Sequence, residues 1–111
     1  MLVGWSSPFG GKTRTRVLLA LRLLGESYLR ELARILEVPL WGVQQAMRSL
    51  ELDGLVAGRS MGRMRIFRIN PRYFAYDELQ RYLFRLTEPE DQLRERIAAL
   101  RRRPRRTGKR L

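Results

Sequence analysis

Trp41, Gln44, Gln45 and Arg48 are spaced i, i+3, i+4, i+7, which puts them on one stripe of a helix. That stripe offers hydrogen bonding to flat base edges. A glutamine amide pairs with adenine in two places and an arginine guanidinium with guanine in two places, each good bidentate pair discriminating by about 1–3 kcal/mol. Val43, Ala46, Met47 and Leu50 form the opposite, apolar stripe, so the same helix has a core side and a reading side. The plainer reading is a solvated polar face with one tryptophan, which packs on the first helix or on a partner.

A second set of candidates is cationic. Arg59, Arg63 and Arg65 crowd into GRSMGRMR, on or beside the tip of an expected hairpin. Arginines there suit the phosphate backbone or a narrow minor groove. Arg30 and Arg34 lie on the preceding helix. Arg34 ranks lower because Glu31 and Glu37 sit within pairing distance along the same helix. Lys12, Arg14 and Arg16 open the first helix, where positive charge opposes the helix dipole and invites a counter-charge, from DNA phosphate or from solvent.

Other chemistry is weakly supported. GGKT, residues 10–13, looks like the end of a phosphate-gripping loop, but the first glycine of that pattern would stand at position 6, which is Ser6. No alternating strand and helix units follow, so the segment reads as a helix start. The chain has no cysteine and no histidine, which removes thiolate nucleophiles, disulfides, imidazole bases and the usual zinc ligands. No nucleophile–base pair or paired-carboxylate site stands out, so no catalytic residue, metal ligand or cofactor is assigned and an enzyme is not expected.

Charge points to a polyanion. The 111 residues carry 23 Lys and Arg against 11 Asp and Glu, a net +12. Seven of those basic residues fall in 101–111, leaving residues 1–100 with 16 basic and 11 acidic side chains, or +5. The excess therefore belongs to the body as well as to the tail, and nucleic acid is the natural partner. The tail is expected to lack fixed structure without DNA, and there to add non-specific, salt-sensitive affinity. No apolar run approaches the roughly 20 residues of a membrane span, and the N-terminus shows no leader pattern, so a cytoplasmic location is expected.

The elements that must position these residues follow from periodicity. Val17, Ala20, Leu21 and Leu24 mark a first helix ending at Gly25; Leu18, Leu19 and Leu23 give it a second apolar side, for which a dimer partner is one cover. Ser27 is placed to cap a second helix through Leu29, Leu32, Ala33 and Leu36. A short turn near Pro39 leads to the third helix, ending at Asp53-Gly54. The β-prone runs Leu55–Ala57 and Met64–Ile69 flank an expected tip from Gly58 to Gly62, and Asn70-Pro71 closes the hairpin. Leu79, Tyr82, Leu83 and Leu86 mark a fourth helix. Thr87 to Glu90 has the form of a capping box for a fifth, through Leu93, Ile97 and Leu100. Tyr73, Phe74, Tyr76, Tyr82 and Phe84 read as core and interface rather than as a base-stacking platform.

This order, mainly α with one β-hairpin, is that of a winged helix-turn-helix. YLRELARILEVPLWGVQQAMRSLELDGLV resembles the helix-turn-helix of the ArsR and MarR-type bacterial and archaeal regulators, on Ala33, Val38, Val43, Leu50, Gly54, Leu55 and Val56. Overall the chain most resembles small regulators of that broad group whose first helix opens with a Phe-Gly-x-Lys segment. The metal sensors of the group use cysteine and histidine, which this chain lacks.

The resemblance implies a dimeric, sequence-selective double-stranded DNA-binding transcriptional regulator, with repression the expected sign and any effector unidentified. It places the third helix in the major groove and the wing on the backbone or in the minor groove. It also implies a homodimer built through the first helix and the C-terminal helices, with Leu79, Tyr82, Leu83 and Leu86 at its surface. The expected layout is an N-terminal segment 1–11, a DNA-binding domain 12–76, a helical dimerisation region 77–100 and the tail 101–111. One departure stands at the start of helix three, where relatives place a hydroxyl residue and this chain has Pro39. A non-specific architectural nucleic-acid binder and a protein-binding winged helix are the alternatives.

Overall fold

The computed structural model describes residues 8–102. Most of the expected N-terminal segment, and all of the basic tail beyond Arg102, lie outside the described residues. The elements run α1 (Lys12–Leu24), α2 (Leu29–Leu36), α3 (Leu40–Leu52), β1 (Val56–Met61), β2 (Met64–Ile69), α4 (Tyr76–Leu86) and α5 (Asp91–Arg102). This is a winged helix-turn-helix, mainly α with one antiparallel two-stranded wing. The fifth helix continues two residues past the boundary expected at residue 100.

α1 is the axis of the molecule. Val17, Leu18, Leu19, Ala20 and Leu21 are all fully buried, so the helix is apolar all round in its middle turns. The second apolar side of α1 needs a cover, for which a dimer partner is one candidate. The chain itself supplies that cover: α2, α3 and β2 pack against α1, and α4 and α5 close over it as well. Leu79 and Leu83 of α4 and Leu93 and Ile97 of α5 join the same core as Val43, Met47 and Leu50 of α3. Fully burying one such leucine is worth about 1.5–3 kcal/mol, so the C-terminal helices are bound to the helix-turn-helix by the hydrophobic effect. Of the four residues expected at the dimer surface, Leu79 and Leu83 are core and Leu86 packs partly buried against it. Tyr82 alone stays largely open, with its ring 5.9 Å from that of Phe9.

Local signals are met with corrections. Gly10-Gly11-Lys12-Thr13 starts α1, with Gly11 as the cap residue and Thr15 Oγ1 donating to the Gly11 carbonyl at 2.9 Å. Gly25 ends α1 at a positive φ of 88°, though its ψ of −54° lies outside the left-handed helical basin. Ser27 is not the cap of α2; Tyr28 holds that position. Ser27 instead works as a one-residue strand, its N–H donating to the Phe67 carbonyl at 3.0 Å and its carbonyl accepting from the Phe67 N–H at 2.8 Å. Its hydroxyl donates to Glu31. Thr87 does not open α5 as a capping box. Its hydroxyl donates back to the Phe84 carbonyl at 2.6 Å, so it closes α4.

The wing is also longer than expected. β1 runs on through Gly58, Arg59 and Ser60 to Met61, pairing residue by residue with β2 from Val56 opposite Ile69 to Met61 opposite Met64. The tip is therefore only Gly62 and Arg63. Gly62 has φ 63°, the positive value that a two-residue hairpin with glycine at its first central position requires. Gly58 serves close packing instead. A Cβ there would lie 2.5 Å from Arg65 Nη2 and 2.8 Å from Phe67 Cε1. At the base of the wing the Asn70 side chain donates to the Gly54 carbonyl at 2.9 Å, closing the hairpin as expected.

Candidate nucleic-acid interface

The α2–α3 turn sets the direction of α3. Glu37 takes a left-handed backbone at φ 57°, Pro39 caps α3, and the N–H groups of Gly42 and Val43 bond the Pro39 carbonyl at 3.0 and 3.3 Å. α3 then divides as its spacing requires. Val43, Ala46, Met47 and Leu50 are buried, while Trp41, Gln44, Gln45 and Arg48 are exposed, Trp41 at 65%. No side chain caps the first turn of α3. A Cβ added at Gly42 would meet nothing within 4 Å, so the backbone there is open to an approaching group.

α2, α3 and the wing enclose an open cleft of about 620 Å³. Arg30 enters from α2, Gln44 and Arg48 from α3, and Arg63 and Arg65 from the wing, with Glu51 the one acidic residue among them. Five of the nine expected site residues are thus brought to one concave surface. Trp41 and Gln45 share the exposed side of α3 but stand outside the cleft. Lys12 is exposed at the first position of α1, apart from it. Arg59 is on β1 opposite Ile66, on the face of the wing turned away from Arg65.

The arginines differ in what already holds them. Arg65 Nη2 is 2.9 Å from Glu51 Oε2, and its guanidinium lies 4.9 Å from the centroid of the Phe67 ring. Arg59 Nη1 is 3.0 Å from Glu26 Oε1. Such half-exposed pairs contribute only about 0–1 kcal/mol each, so a phosphate can compete for either cation. Arg63, at the tip, has no such acidic partner among the described residues, and neither do Arg30 and Arg48.

Arg14 is different. It donates to the Phe9 carbonyl, to Ser49 Oγ and, at 2.8 Å, to Asp53 Oδ2. The counter-charge expected for this end of α1 thus comes, for Arg14, from the chain itself and not from phosphate or solvent. Arg34 pairs with neither Glu31 nor Glu37. Glu31 accepts from Ser27 and Glu37 from Arg96, so Arg34 stands exposed.

Two features of the site were missed in the sequence: Met61 and Met64 flanking the tip, and the need for glycine at position 58. The alternation RSM-GR-MRI around Gly62-Arg63 carries the signal for the first. Nothing local marks the second, because it depends on where Phe67 lies across the sheet.

Among the described residues no group of three or more acidic or other ligating side chains is placed to hold a metal ion, and no helix is long and apolar enough to cross a membrane.

No protein-family model matches the chain, and no curated protein matches its sequence. Solved structures do. The chain is similar to the adhesin competence repressor AdcR from Streptococcus pyogenes, with a TM-score of 0.57 and 17% identity over 77% of this chain and 63% of that one. It is similar to a double variant of Lactococcus lactis ZitR, with a TM-score of 0.59 and 14% identity over 96% of this chain and 73% of that one. A single variant of ZitR gives 0.55 and 15%, over 90% and 80%. The chain thus spans about two thirds of the length of the streptococcal repressor. At these identities the likeness is one of fold.

Proposed function

We propose that this chain is a sequence-selective double-stranded DNA-binding protein that acts as a transcriptional regulator. The supporting observation is the surface of α3: its exposed stripe presents Gln44, Gln45 and Arg48 beside a cleft that also holds Arg30 and Arg63. α3 enters the major groove, where its two glutamines and one arginine meet base edges, and Trp41 packs against sugar or a base methyl group. The open start of α3 meets a phosphate through the backbone N–H groups of Leu40 and Trp41, with Gly42 leaving room for the approach, which replaces the hydroxyl that Pro39 excludes. The wing follows the backbone or the adjacent minor groove, with Arg63 leading and Arg59 and Arg65 exchanging their carboxylates for phosphate. Lys12 adds a more distant backbone contact.

Regulation would come from occupying a promoter, which blocks or recruits other proteins. Repression is the sign we favour, since AdcR is by name a repressor. The working form in this proposal is a cytoplasmic homodimer that spaces two copies of α3 about one turn of DNA apart, roughly 34–36 Å. With α1 enclosed by its own chain, the dimer surface falls to the C-terminal helices, where Tyr82 and Phe84 of α4 remain exposed.

The test is selection of bound duplexes from a random library, followed by fluorescence anisotropy at about 150 mM salt. A selected duplex should bind at least about a thousandfold more tightly than a scrambled one. Gln44→Ala, Gln45→Ala and Arg48→Ala should each lose about 1–3 kcal/mol on it and little on the scrambled duplex. Selection that yields no consensus, with equal affinity for all duplexes, would transfer the chain to the non-specific binders. Sedimentation equilibrium tests the dimer separately.

A further inference from the structure

The wing tip carries a feature that phosphate binding does not explain. β1 and β2 are joined by Gly62 and Arg63 alone, and the pair that flanks this turn is Met61 opposite Met64. Directly opposed residues of antiparallel strands share a face, with Cβ atoms about 4.5–5.5 Å apart. Two thioethers therefore stand side by side immediately behind Arg63. They are 50% and 43% exposed, and neither belongs to the hydrophobic core. Met47, by contrast, is buried in that core. A cross-strand pair contributes only about 0.2–1 kcal/mol to a hairpin, and a polar pair would serve an exposed ribbon end as well, so the fold does not require two methionines here.

The surroundings limit what could cover them. From Val56 to Ile69 the wing has arginine at 59, 63, 65 and 68 and no acidic residue. At the tip of the ribbon Met64 borders the cleft that holds Gln44 and Arg48, although the methionine pair shares the ribbon face of Arg59. The partner must therefore be anionic on its rim, apolar within, and adjacent to whatever α3 reads. The minor groove of duplex DNA has this character, with phosphate edges and deoxyribose walls. It is about 6 Å wide, whereas the two strands of the wing are already about 4.8 Å apart without their side chains. The tip can enter and the ribbon cannot.

We propose that Met61 and Met64 form an apolar wedge that, with Arg63 leading, enters the minor groove beside the α3 site and presses on one base step. This rests on the DNA-binding reading above and adds to it a second specificity element, one made without hydrogen bonds. Methionine is unbranched and polarisable, which suits it to an irregular wall. Side chains of this kind unstack and kink the step they press on. Pyrimidine–purine steps such as TA yield most readily. The exocyclic amine of guanine obstructs the groove floor, so a G·C step at that place should be disfavoured.

The full-length chain is tested on the duplex that it selects, with the flanking step as TA or as GC, over a range of salt concentrations. The wild type should prefer the TA flank by about tenfold, and 2-aminopurine at that step should brighten on binding as it unstacks. Met61→Ser with Met64→Ser should abolish the flank preference and the brightening while leaving the slope of log affinity against log salt unchanged, since no charge is lost. Met61→Leu with Met64→Leu should keep the preference. Arg63→Ala should reduce the slope by about 0.9.

Thermal unfolding of each variant checks that the hairpin persists, and the wild-type 2-aminopurine signal needs no variant. A wild type indifferent to the flank, or a serine pair that keeps the preference, overturns the wedge. A wild type that keeps the flank preference but ignores Gln44→Ala, Gln45→Ala and Arg48→Ala overturns the α3 reading and leaves the wedge standing. A chain that binds neither duplex overturns both.

Discussion

Arg14 Nη2 lies 2.8 Å from Asp53 Oδ2, so the first turn of α1 is fastened to the end of α3. The two residues are 39 positions apart. The Arg14 side chain is only 18% exposed and also donates to Ser49 Oγ and the Phe9 carbonyl, whereas Asp53 is 54% exposed. Removing the arginine leaves several acceptors without a donor; removing the carboxylate loses one solvated partner. Arg14→Ala should therefore lower the unfolding free energy by about 1–3 kcal/mol, and Asp53→Asn by no more than about 1 kcal/mol. Urea denaturation measures both. Equal losses would show the pair acting alone, without the network.

Gly58 is required by its neighbours and not by its own backbone. A Cβ would sit 2.5 Å from Arg65 Nη2 and 2.8 Å from Phe67 Cε1. The guanidinium is the end of a flexible chain and can move; the ring is core and cannot move far. Gly58→Ala should cost about 1–3 kcal/mol through overpacking. Arg65→Ala added to it should recover only a minority of that loss. Thermal melts of the single and double variants decide this, and full recovery would assign the strain to Arg65.

Glu51 and Glu26 hold Arg65 and Arg59 as internal counter-ions. Under the DNA-binding proposal these carboxylates are unfavourable near phosphate and occupy cations that could bind it. Glu51→Gln should raise affinity for DNA about twofold to fivefold and steepen its salt dependence, because the freed cation neutralises a further phosphate. Glu26→Gln should do the same to a smaller extent, since Arg59 is on the far face of the wing. Anisotropy titrations against salt test both. A fall in affinity with either variant would show that the carboxylate positions its arginine for binding.

The helices and the two stripes of α3 were legible in the sequence because periodicity reports them directly. Val43 and Gln44 differ in burial for the reason that their positions on a 3.6-residue helix differ. The partners were not legible. Ser27 has the residue type of a cap, yet it pairs with Phe67, 40 residues away, because the strand edge offers two backbone bonds where a cap offers one. Thr87 and Glu90 fit a capping box, but the end of α4 reaches the threonine hydroxyl first. The second apolar side of α1 showed that a cover was needed without saying whose. α4 and α5, read as a separate dimerisation region, fold back and provide it. Arg59 and Arg65 stood out by charge in the sequence; that carboxylates already hold them is a long-range fact.

Arg96 is the residue that latches α5 to the helix-turn-helix. Its Nη1 donates to the Ile35 carbonyl at 2.8 Å, near the end of α2, and its Nη2 lies 3.2 Å from Glu37 Oε1, in the turn that aims α3. The Ile35 carbonyl belongs to the last turn of α2, where helical carbonyls lack partners within their own helix. Arg96→Ala leaves that acceptor to water, and α5 is then held by the apolar contacts of Leu93 and Ile97 and by Arg101, which donates to the Leu23 carbonyl of α1 at 2.7 Å. The expected cost is about 1–2 kcal/mol, concentrated in α5 and the α2–α3 turn. Native-state hydrogen exchange should show amides of residues 93–100 and of Glu37 and Val38 exchanging about tenfold faster, while those of α1 change little. Arg96→Lys keeps the charge toward Glu37 but not the forked geometry, so it should recover only part of the protection. Uniform acceleration across α1, α3 and α5 would instead mean that Arg96 contributes to global stability and is no local latch.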